Sequence, residues 1–387
     1  MRFMGKKTPK AIRTFALASF LNDMGSDIIY PVWPLFVTTV LKANMTALGF
    51  LDGLGEALVS LSQAVSGVLS DKFRKRKIFI WTGYLCGALS RWGYALSSVW
   101  THLIPFRILD RAGKIRSAPR DAYVADLSTD TTRGKNFGLL RTMDHLGAVV
   151  GILLCILLFR ILGMRLLFAL AAIPSLASAA LIFTNINEKK ERRSPAFKGL
   201  SLGSLNKNSL LFLVLSGIFS LGAFSYSFLL ISAKEAGIQT AFVPVLYLVF
   251  TAAASLAAFP FGKLSDKIGR KRVLLISFSL WTAVCVLFIL SRNYLLIFTA
   301  FVIYGAHKGA LEPSLRAFVC ELGPKEWRAS CLGGFQMVTG LCALPASLIA
   351  GLLWERAGAV APFGLALVLT ILAGILLLFV KTPVCKA

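Results

Sequence analysis

The residues best suited to chemistry lie in one short stretch of the chain, residues 107–121, which reads RILDRAGKIRSAPRD. The stretch holds seven charged side chains in fifteen residues, although apolar segments precede and follow it. Guanidinium and ammonium groups bind anions, and a buried carboxyl group can exchange a proton near neutral pH. This stretch is therefore a candidate for coupling to ions or for binding a charged solute.

The composition of the whole chain indicates what surrounds this stretch. The 387 residues have a mean hydropathy of +0.72, and 16% of them are charged, whereas soluble domains carry roughly a quarter. Apolar segments of about twenty residues, the length that crosses a bilayer, recur along the entire chain. The composition predicts a multi-pass integral membrane protein.

The chain is strongly basic, with 42 Lys and Arg against 18 Asp and Glu. Because membrane proteins concentrate Lys and Arg in cytoplasmic loops, we interpret this excess as a sign of topology, and we expect no nucleic-acid partner. The seven Cys lie singly, without a CxxC pair or a His at ligand spacing, so we predict neither a metal nor a cofactor. No HExxH or GxSxG motif occurs, and we predict that the protein is not an enzyme.

Apolar runs between basic or turn-rich breaks predict an all-α membrane protein with twelve transmembrane helices. The longest polar gap, 185–207, reads as a cytoplasmic linker between two six-helix bundles at 1–184 and 208–387. The predicted helices are 12–41, 46–70, 77–98, 100–125, 135–159, 163–184, 208–233, 240–264, 272–292, 293–320, 328–353 and 358–380.

The distribution of basic residues predicts the orientation of these helices. With the N-terminus in the cytoplasm, most Lys and Arg outside the helices fall on the cytoplasmic side, as the positive-inside rule requires. Both termini are then cytoplasmic. The outer loops hold six basic residues: Lys42, Arg160, Arg165, Lys234, Arg292 and Arg356.

An internal repeat supports the division into halves. GVLSDKFRKRK at Gly67–Lys77 returns as GKLSDKIGRKR at Gly262–Arg272, an offset of 195 residues. Both copies follow the second helix of their half. They resemble the loop signature G-x-x-x-D-[RK]-x-G-R-[RK] of the major facilitator superfamily, from which the first copy departs at Arg74. The resemblance implies two bundles around a central substrate path that opens alternately to each side.

The repeated motif is a candidate gate. Gly67 and Gly262 lack a side chain where a neighbouring helix could approach closely. Asp71 and Asp266 lie near helix C-termini, where the helix dipole disfavours a carboxylate, so each requires compensation. The basic residues that follow, such as Arg270, are one source. The resemblance implies another, a helix N-terminus in the opposite half, so that the motif acts as a latch on the cytoplasmic side.

Residues 100–125 must form the fourth helix, because without it the basic segment 133–135 would lie outside and every later loop would be reversed. A charge near the bilayer centre costs about 2.5–3.5 kcal/mol, so these side chains must face the protein interior and compensate one another. Asp110 lies within pairing reach of Arg107 and Lys114. Arg120 lies close enough to the cytoplasm to extend to it, and no partner can be named for Arg116. The face at 100° per residue comprises Arg107, Asp110, Arg111, Lys114, Ala118 and Asp121.

Acids elsewhere could share this function. Asp23 and Asp27 lie one turn apart on the first helix at the same depth. In the second half, Glu312 lies on helix 10 in the one comparable cluster, with His307, Lys308 and Arg316. The uneven distribution predicts ion coupling in the N-terminal half.

The run R-x-x-D-R-x-G-K in the fourth helix resembles the arginine motif of drug–proton antiporters. In that group an Arg at the position of Arg107 is tied to proton movement, but Asp110 stands where Gln is usual. The helix-5 antiporter signature is half present, since Gly147 and Gly151 are followed by Ile152 instead of Pro. The SDxxYP and RxxDRxGK runs look most like an uncharacterised prokaryotic subgroup, which implies a location in the prokaryotic cytoplasmic membrane.

Our first hypothesis is a monomeric, proton-coupled secondary transporter that exports a small organic solute. Asp23, Asp27 and Asp110 are the candidate proton carriers, and Arg111 and Lys114 adjust their pKa or bind an anionic group of the solute. One alternative is an organic-anion carrier or exchanger. Another is a membrane-embedded receptor, sensor or enzyme without transport.

Overall fold

The computed structural model describes residues 10–73, 75–128, 132–187, 207–290, 293–322 and 328–381, and every regular element in these ranges is helical. The helices of the first half of the chain are α1 (Lys10–Ile29), α2 (Trp33–Leu35), α3 (Met45–Phe73), α4 (Lys77–Leu96), α5 (Leu103–Ala112), α6 (Ser117–Asp126) and α7 (Arg133–Asn185). A π-helical turn, Phe36–Val40, extends α2, and 3-10 turns at Trp100–His102 and Gly113–Arg116 flank α5.

The second half continues the same pattern. Its helices are α8 (Lys207–Gly222), α9 (Tyr226–Glu235), α10 (Val243–Ile268), α11 (Arg270–Leu290), α12 (Tyr294–Leu322), α13 (Arg328–Ala357) and α14 (Ala361–Phe379), with a 3-10 turn at Thr240–Phe242 before α10.

These elements make twelve spans at the predicted positions. The largest displacement of an end is four residues, for example at the end of α10, which was expected at 264 and lies at 268. The long helix α7 contains two spans, because Gly163 interrupts it with φ 68° and ψ 172°. A residue with a side chain rarely adopts such a positive φ, so glycine sets the break between the fifth and sixth spans.

Seven helical segments of the described chain are long and apolar enough to cross a membrane, judged by length and composition. They begin at Lys135 and include every span of the second half. The first four spans, which carry Asp23, Asp27 and the charged stretch, do not meet that standard.

The chain divides into two compact units, one formed by residues up to 42 together with 58–197 and the other by 43–57 together with 198–387. The boundary falls within α3. The predicted linker 185–207 lies mostly outside the described residues, and the division into bundles at 1–184 and 208–387 stays a prediction.

Each unit has its own apolar core. In the first unit, Phe15 of α1 packs edge-on against Tyr123 of α6, with ring centroids 5.2 Å apart, beside Ile80 of α4. In the second unit, Phe219 of α8 stacks on Phe278 of α11 at 4.3 Å. These contacts hold the helices that carry the polar side chains.

Candidate functional site

The charged stretch lies on an interrupted helix. Residues Gly113–Arg116 form a 3-10 turn between α5 and α6. At this turn the main chain touches α4, because a Cβ at Gly83 would lie 2.5 Å from the carbonyl oxygen of Gly113. Glycine on both sides permits this approach. The turn fixes the depth and direction of the charged side chains on either side of it.

Aromatic residues of the first span cover the N-terminal part of the stretch. The buried Arg107 guanidinium lies 4.5 Å from the ring centroid of Trp33. Arg111 donates a 3.1 Å hydrogen bond to the Tyr30 hydroxyl and lies 5.2 Å from the same ring. Because the face of an aromatic ring attracts cations, these rings compensate part of the buried positive charge.

The sequence placed Asp110 within pairing reach of Arg107 and Lys114, but the ion pair that the structure shows is with Arg111. Asp110 Oδ2 lies 3.6 Å from Arg111 Nε, and the Asp110 side chain is 13% exposed. The expectation that Asp110 pairs with Lys114 was wrong, since no hydrogen bond or ion pair joins them in the described structure. The 3-10 turn explains the difference: with three residues per turn instead of 3.6, it rotates Lys114 away from the α-helical face.

Lys114 consequently has no hydrogen-bond or ion-pair partner among the described residues. It is partly buried. The charged groups that act on it include two acids, Asp23 and Asp110, and two guanidinium groups, Arg111 and Arg116.

Arg91 of α4 ties three helices together. Its Nη2 donates to Ser26 Oγ at 2.7 Å and to the Asn22 carbonyl at 3.2 Å, both on α1, and its Nη1 donates to the Ala171 carbonyl on α7 at 3.2 Å. All three acceptors are neutral, and Arg91 is only 2% exposed. Its acceptors are mostly main-chain atoms, which no residue pattern reveals.

Arg116, for which the sequence offered no partner, is compensated by α4 and by its own turn. Its guanidinium lies 4.8 Å from the Tyr84 ring centroid and donates a 2.9 Å hydrogen bond to the Gly113 carbonyl. This arginine is therefore also held by neutral groups.

The acids of α1 face the same region. Asn22 Nδ2 donates a 3.0 Å hydrogen bond to Asp23, while Asn22 Oδ1 is buried and accepts no hydrogen bond from any described residue. A Cβ at Gly87 would lie 3.7 Å from Asn22 Oδ1 and 4.0 Å from Asp110 Oδ1, so Gly87 leaves space beside both oxygens. Asp27, one turn further along α1, is partly buried.

Two glycines bring α1 against α7. A Cβ at Gly147 would lie 2.3 Å from the Phe20 carbonyl oxygen, and one at Gly151 would lie 2.3 Å from that of Met24. The half-present helix-5 signature thus has a packing role here, and the position of Asp23 depends on it.

A balanced lattice of charges lies towards the cytoplasmic end of the first unit as we predict its orientation. Arg120 Nε lies 3.1 Å from Asp121, and its Nη1 donates to Ser19 at 2.7 Å and lies 3.8 Å from Asp144. Arg141 lies 3.3 Å from Asp144 and 3.7 Å from Asp121. Arg120 is 7% exposed, so it pairs inside the protein and does not extend to water as expected.

The second unit has its own polar cluster on α12. His307 Nδ1 lies 2.8 Å from the Ser277 carbonyl, and the imidazole stacks on Trp281 at 5.6 Å. Lys308 lies 5.5 Å from the Tyr304 ring centroid. Glu312 is exposed and lies within electrostatic range of Lys308. Aromatic rings make most of the contacts of this cluster, and Arg316, which was predicted to belong to it, is exposed.

The second copy of the repeated motif forms ion pairs within its own unit. Arg270 connects Asp266, at 2.9 Å, to Glu321 at the end of α12, at 2.6 Å. The motif did not reveal Glu321, because this acid lies some fifty residues further along the chain. Gly269 has φ 93°, so the glycine of the signature is required by the turn.

Two expectations about the motif have different outcomes. The expectation that a neighbouring helix approaches closely at Gly262 was wrong. In the described structure this side of α10 faces open space, and no atom lies within 4 Å of a Cβ built there. Gly67 and Asp71 lie in α3, but their side chains are outside the described residues, so their roles stay predictions.

A sequence profile of the Major Facilitator Superfamily matches residues 15–248 and 212–386. The chain belongs to the major facilitator superfamily. Its relatives within the superfamily include the uncharacterized MFS-type transporter MJ1317 of Methanocaldococcus jannaschii, which is 35% identical over 97% of this chain and 96% of the relative. The uncharacterized protein Mb2288 of Mycobacterium bovis is 25% identical over 85% of this chain and 84% of its own length.

Solved structures share the superfamily fold. The nucleoside transporter NupG aligns with a TM-score of 0.76 at 15% identity, covering 96% of this chain and 98% of that one. A bacterial homolog of the human lysosomal transporter Spinster aligns with a TM-score of 0.75 at 14% identity, covering 96% of each chain. At these identities the likeness concerns the fold.

Membership in the major facilitator superfamily confirms the main predictions. The chain is a multi-pass integral membrane protein with the twelve-helix fold of the superfamily, and it is a secondary transporter of small molecules and not an enzyme. The resemblance in the repeated motif therefore identified the family correctly.

Proposed function

We propose that this protein is a proton-coupled secondary transporter that exports a small organic solute by alternating access. The observation that carries the proposal is the position of Asp110, a mostly buried carboxylate 3.6 Å from Arg111 on the fourth span. A buried acid in a transporter is a functional candidate by default, because apolar residues would be less costly there.

The mechanism follows from the charges around Asp110. When ionised, its carboxylate compensates Arg111, which also donates to Tyr30. Protonation removes that negative charge and leaves the guanidinium to seek another acceptor. A proton and a solute that both act on this pair would compete, and competition for one site produces exchange of one for the other. Asp23 and Asp27 on α1 are the further candidate carriers.

The proposal includes the setting in which the protein works. The antiporter-like run in the fourth span supports the drug–proton antiporter subgroup, and the archaeal relative supports the cytoplasmic membrane of a prokaryote. The excess of basic residues in the predicted inner loops supports cytoplasmic termini. We propose that one chain is sufficient for transport.

Everted vesicles with an imposed pH gradient test the proposal. Accumulation of organic solutes should follow the gradient in wild-type protein. Asp110→Asn, compared with Asp23→Asn and Asp27→Asn, should abolish the response to the gradient while downhill exchange of labelled solute continues.

The control for this experiment is Asp126→Asn. That variant removes a carboxylate that pairs with Arg76 outside the site, and it should retain coupling. Full proton coupling in all three Asn variants of the candidate carriers would refute the proposal.

A further inference from the structure

We propose that Asn22 is a positioning residue for the coupled proton. Its Oδ1 accepts the hydrogen bond that Asp110 donates when it is protonated, directly or through a water molecule in the space beside Gly87. This role rests on the proposed function, in which Asp110 carries the proton. An uncharged side chain of α1 thereby becomes part of the coupling machinery.

Asn22 has a buried acceptor that the surrounding helices do not satisfy. Its side chain is 1% exposed, and Oδ1 accepts no hydrogen bond from any described residue. Buried polar atoms in folded proteins nearly always have a partner, because an unpaired acceptor carries the full cost of its desolvation. Asn22 Oδ1 therefore requires a donor from outside the neighbouring side chains or from a side chain that gains a proton.

The direction of Asn22 Oδ1 is fixed at both ends of the residue. Asn22 Nδ2 donates to Asp23 at 3.0 Å, and a reversed amide would place its oxygen against that carboxylate. The main-chain carbonyl of Asn22 accepts a 3.2 Å hydrogen bond from Arg91. Asn22 therefore cannot turn its oxygen towards another donor without breaking one of these contacts.

Gly87 of α4 shows what this oxygen faces. A Cβ at Gly87 would lie 3.7 Å from Asn22 Oδ1 and 4.0 Å from Asp110 Oδ1. Among the described residues, no other atom of a neighbouring helix lies within 4 Å of that point. The missing side chain leaves room between the two oxygens, and water in this room would have polar partners on both sides.

The two oxygens of Asp110 have different surroundings. Oδ2 lies beside the Arg111 guanidinium, whereas Oδ1 borders the same space as Asn22 Oδ1. When Asp110 is ionised, two acceptors border this space. A proton on Oδ1 converts one of them into a donor, while Oδ2 stays beside its cation. Asn22 then stabilises the protonated form of the carboxyl group relative to the ionised form.

The ionisable groups that act on Asp110, or share a neighbour with it, come from three elements. The cations among them favour the ionised carboxyl group, and Asn22 Oδ1 opposes them by favouring the protonated one. The groups are Arg107, Arg111, Lys114 and Arg116 on the fourth span, Cys86, Arg91 and Tyr94 on α4, and Asp23, Asp27 and Tyr30 on α1.

Gly87→Ala tests the role of the space directly, because it leaves the bond between Asn22 and Asp23 intact. The new methyl group meets both oxygens at ordinary van der Waals distance, so the variant should fold. In everted vesicles, the pH midpoint of proton-driven exchange should fall by about one unit, the shift expected for loss of one hydrogen bond. Gly138→Ala, which also meets open space, is the matched control and should keep the wild-type midpoint.

Asn22→Leu removes the acceptor itself and should also lower the midpoint. The double variant with Gly87→Ala should shift no further than the larger single shift, because both changes remove the same hydrogen bond. Asn136→Leu is the control for loss of a buried amide, since Asn136 is 3% exposed and donates to Ser128 at 2.8 Å. It should change Tm without changing the midpoint. Additive shifts, or a wild-type midpoint in Gly87→Ala, would overturn the role of Asn22.

Infrared difference spectra of the purified full-length protein at high and low pH give a readout without transport. A carboxylic-acid carbonyl band that is absent from Asp110→Asn should appear in wild type and move to higher wavenumber in Gly87→Ala, because its hydrogen bond is lost. Absence of an Asp110 band at every pH refutes the proposed function. A band that Gly87→Ala leaves unchanged refutes only the role of Asn22.

Discussion

Arg91 donates a 2.7 Å hydrogen bond to Ser26 Oγ, which joins α4 to α1 in the interior of the first unit. The same guanidinium reaches α7 through the Ala171 carbonyl. A Cβ at Gly25 would lie 2.3 Å from Arg91 Nη1, so the glycine makes room for the charge. The acids of α1 are therefore held at their depth by a cation that does not pair with them.

Replacement of Arg91 by Met should destabilise the protein by about 3 kcal/mol, because three buried acceptors would lose a charged donor. The measurement is thermal unfolding in detergent. Arg141→Gln is the control, since the Arg141 side chain is 56% exposed and its pairs should contribute less than about 1 kcal/mol. Equal Tm values for the two variants would show that Arg91 does not anchor the helices.

Gly147→Ala and Gly151→Ala should each lower stability by about 1–3 kcal/mol, because the new methyl group would lie 2.3 Å from a carbonyl oxygen of α1. Gly138→Ala on the same helix meets no atom within 4 Å, and it should be neutral or stabilising by up to about 1 kcal/mol. Unfolding temperatures of the three variants give the comparison. A destabilised Gly138→Ala beside an unaffected Gly151→Ala would refute the packing role of these glycines.

The two partners of Arg270 should contribute unequally. Asp266 is 70% exposed and Glu321 is 28% exposed, and water and salt screen the more exposed pair. We expect about 0.2–1 kcal/mol from the Asp266 pair and more from the Glu321 pair. Double-mutant cycles of Arg270→Gln with Asp266→Asn and with Glu321→Gln measure each coupling energy. A larger coupling for Asp266 would contradict this order.

Gly269→Ala should cost about 1–2 kcal/mol, because a side chain disfavours a φ of 93°. Gly262→Ala lies inside α10, where a Cβ meets no atom within 4 Å, and it should be neutral or stabilising in thermal unfolding. If Gly262→Ala destabilises the protein as much as Gly269→Ala does, then α10 is approached by another helix at this point after all.

The positions of the spans could be predicted because a bilayer requires an apolar helix of about twenty residues, and such segments can be recognised in the sequence. The direction of individual side chains did not follow. The 3-10 turn at Gly113–Arg116 changes the rotation per residue, and an assumed α-helix placed Lys114 beside Asp110. Tertiary contact decides such a turn, here the approach of the main chains at Gly83 and Gly113.

Partners that are main-chain atoms or lie on distant helices also could not be predicted from the sequence. Arg116 is compensated by Tyr84 on another helix and by the carbonyl of its own turn. The pairing of Arg270 with Glu321 depends on how α11 and α12 pack against each other. Helical spacing reports neighbours along one helix, whereas these contacts depend on how the helices pack.

The polar region around Asp110 contains one lysine, Lys114, and four arginines: Arg91, Arg107, Arg111 and Arg116. A guanidinium keeps its proton under all physiological conditions, so this part of the unit stays electrically positive whether the cell interior is acidic or alkaline. In the coupling that we propose, the arginines therefore keep their charge while a carboxylate gains or loses a proton. The four arginines thus supply a constant positive electrostatic potential at the neighbouring acids.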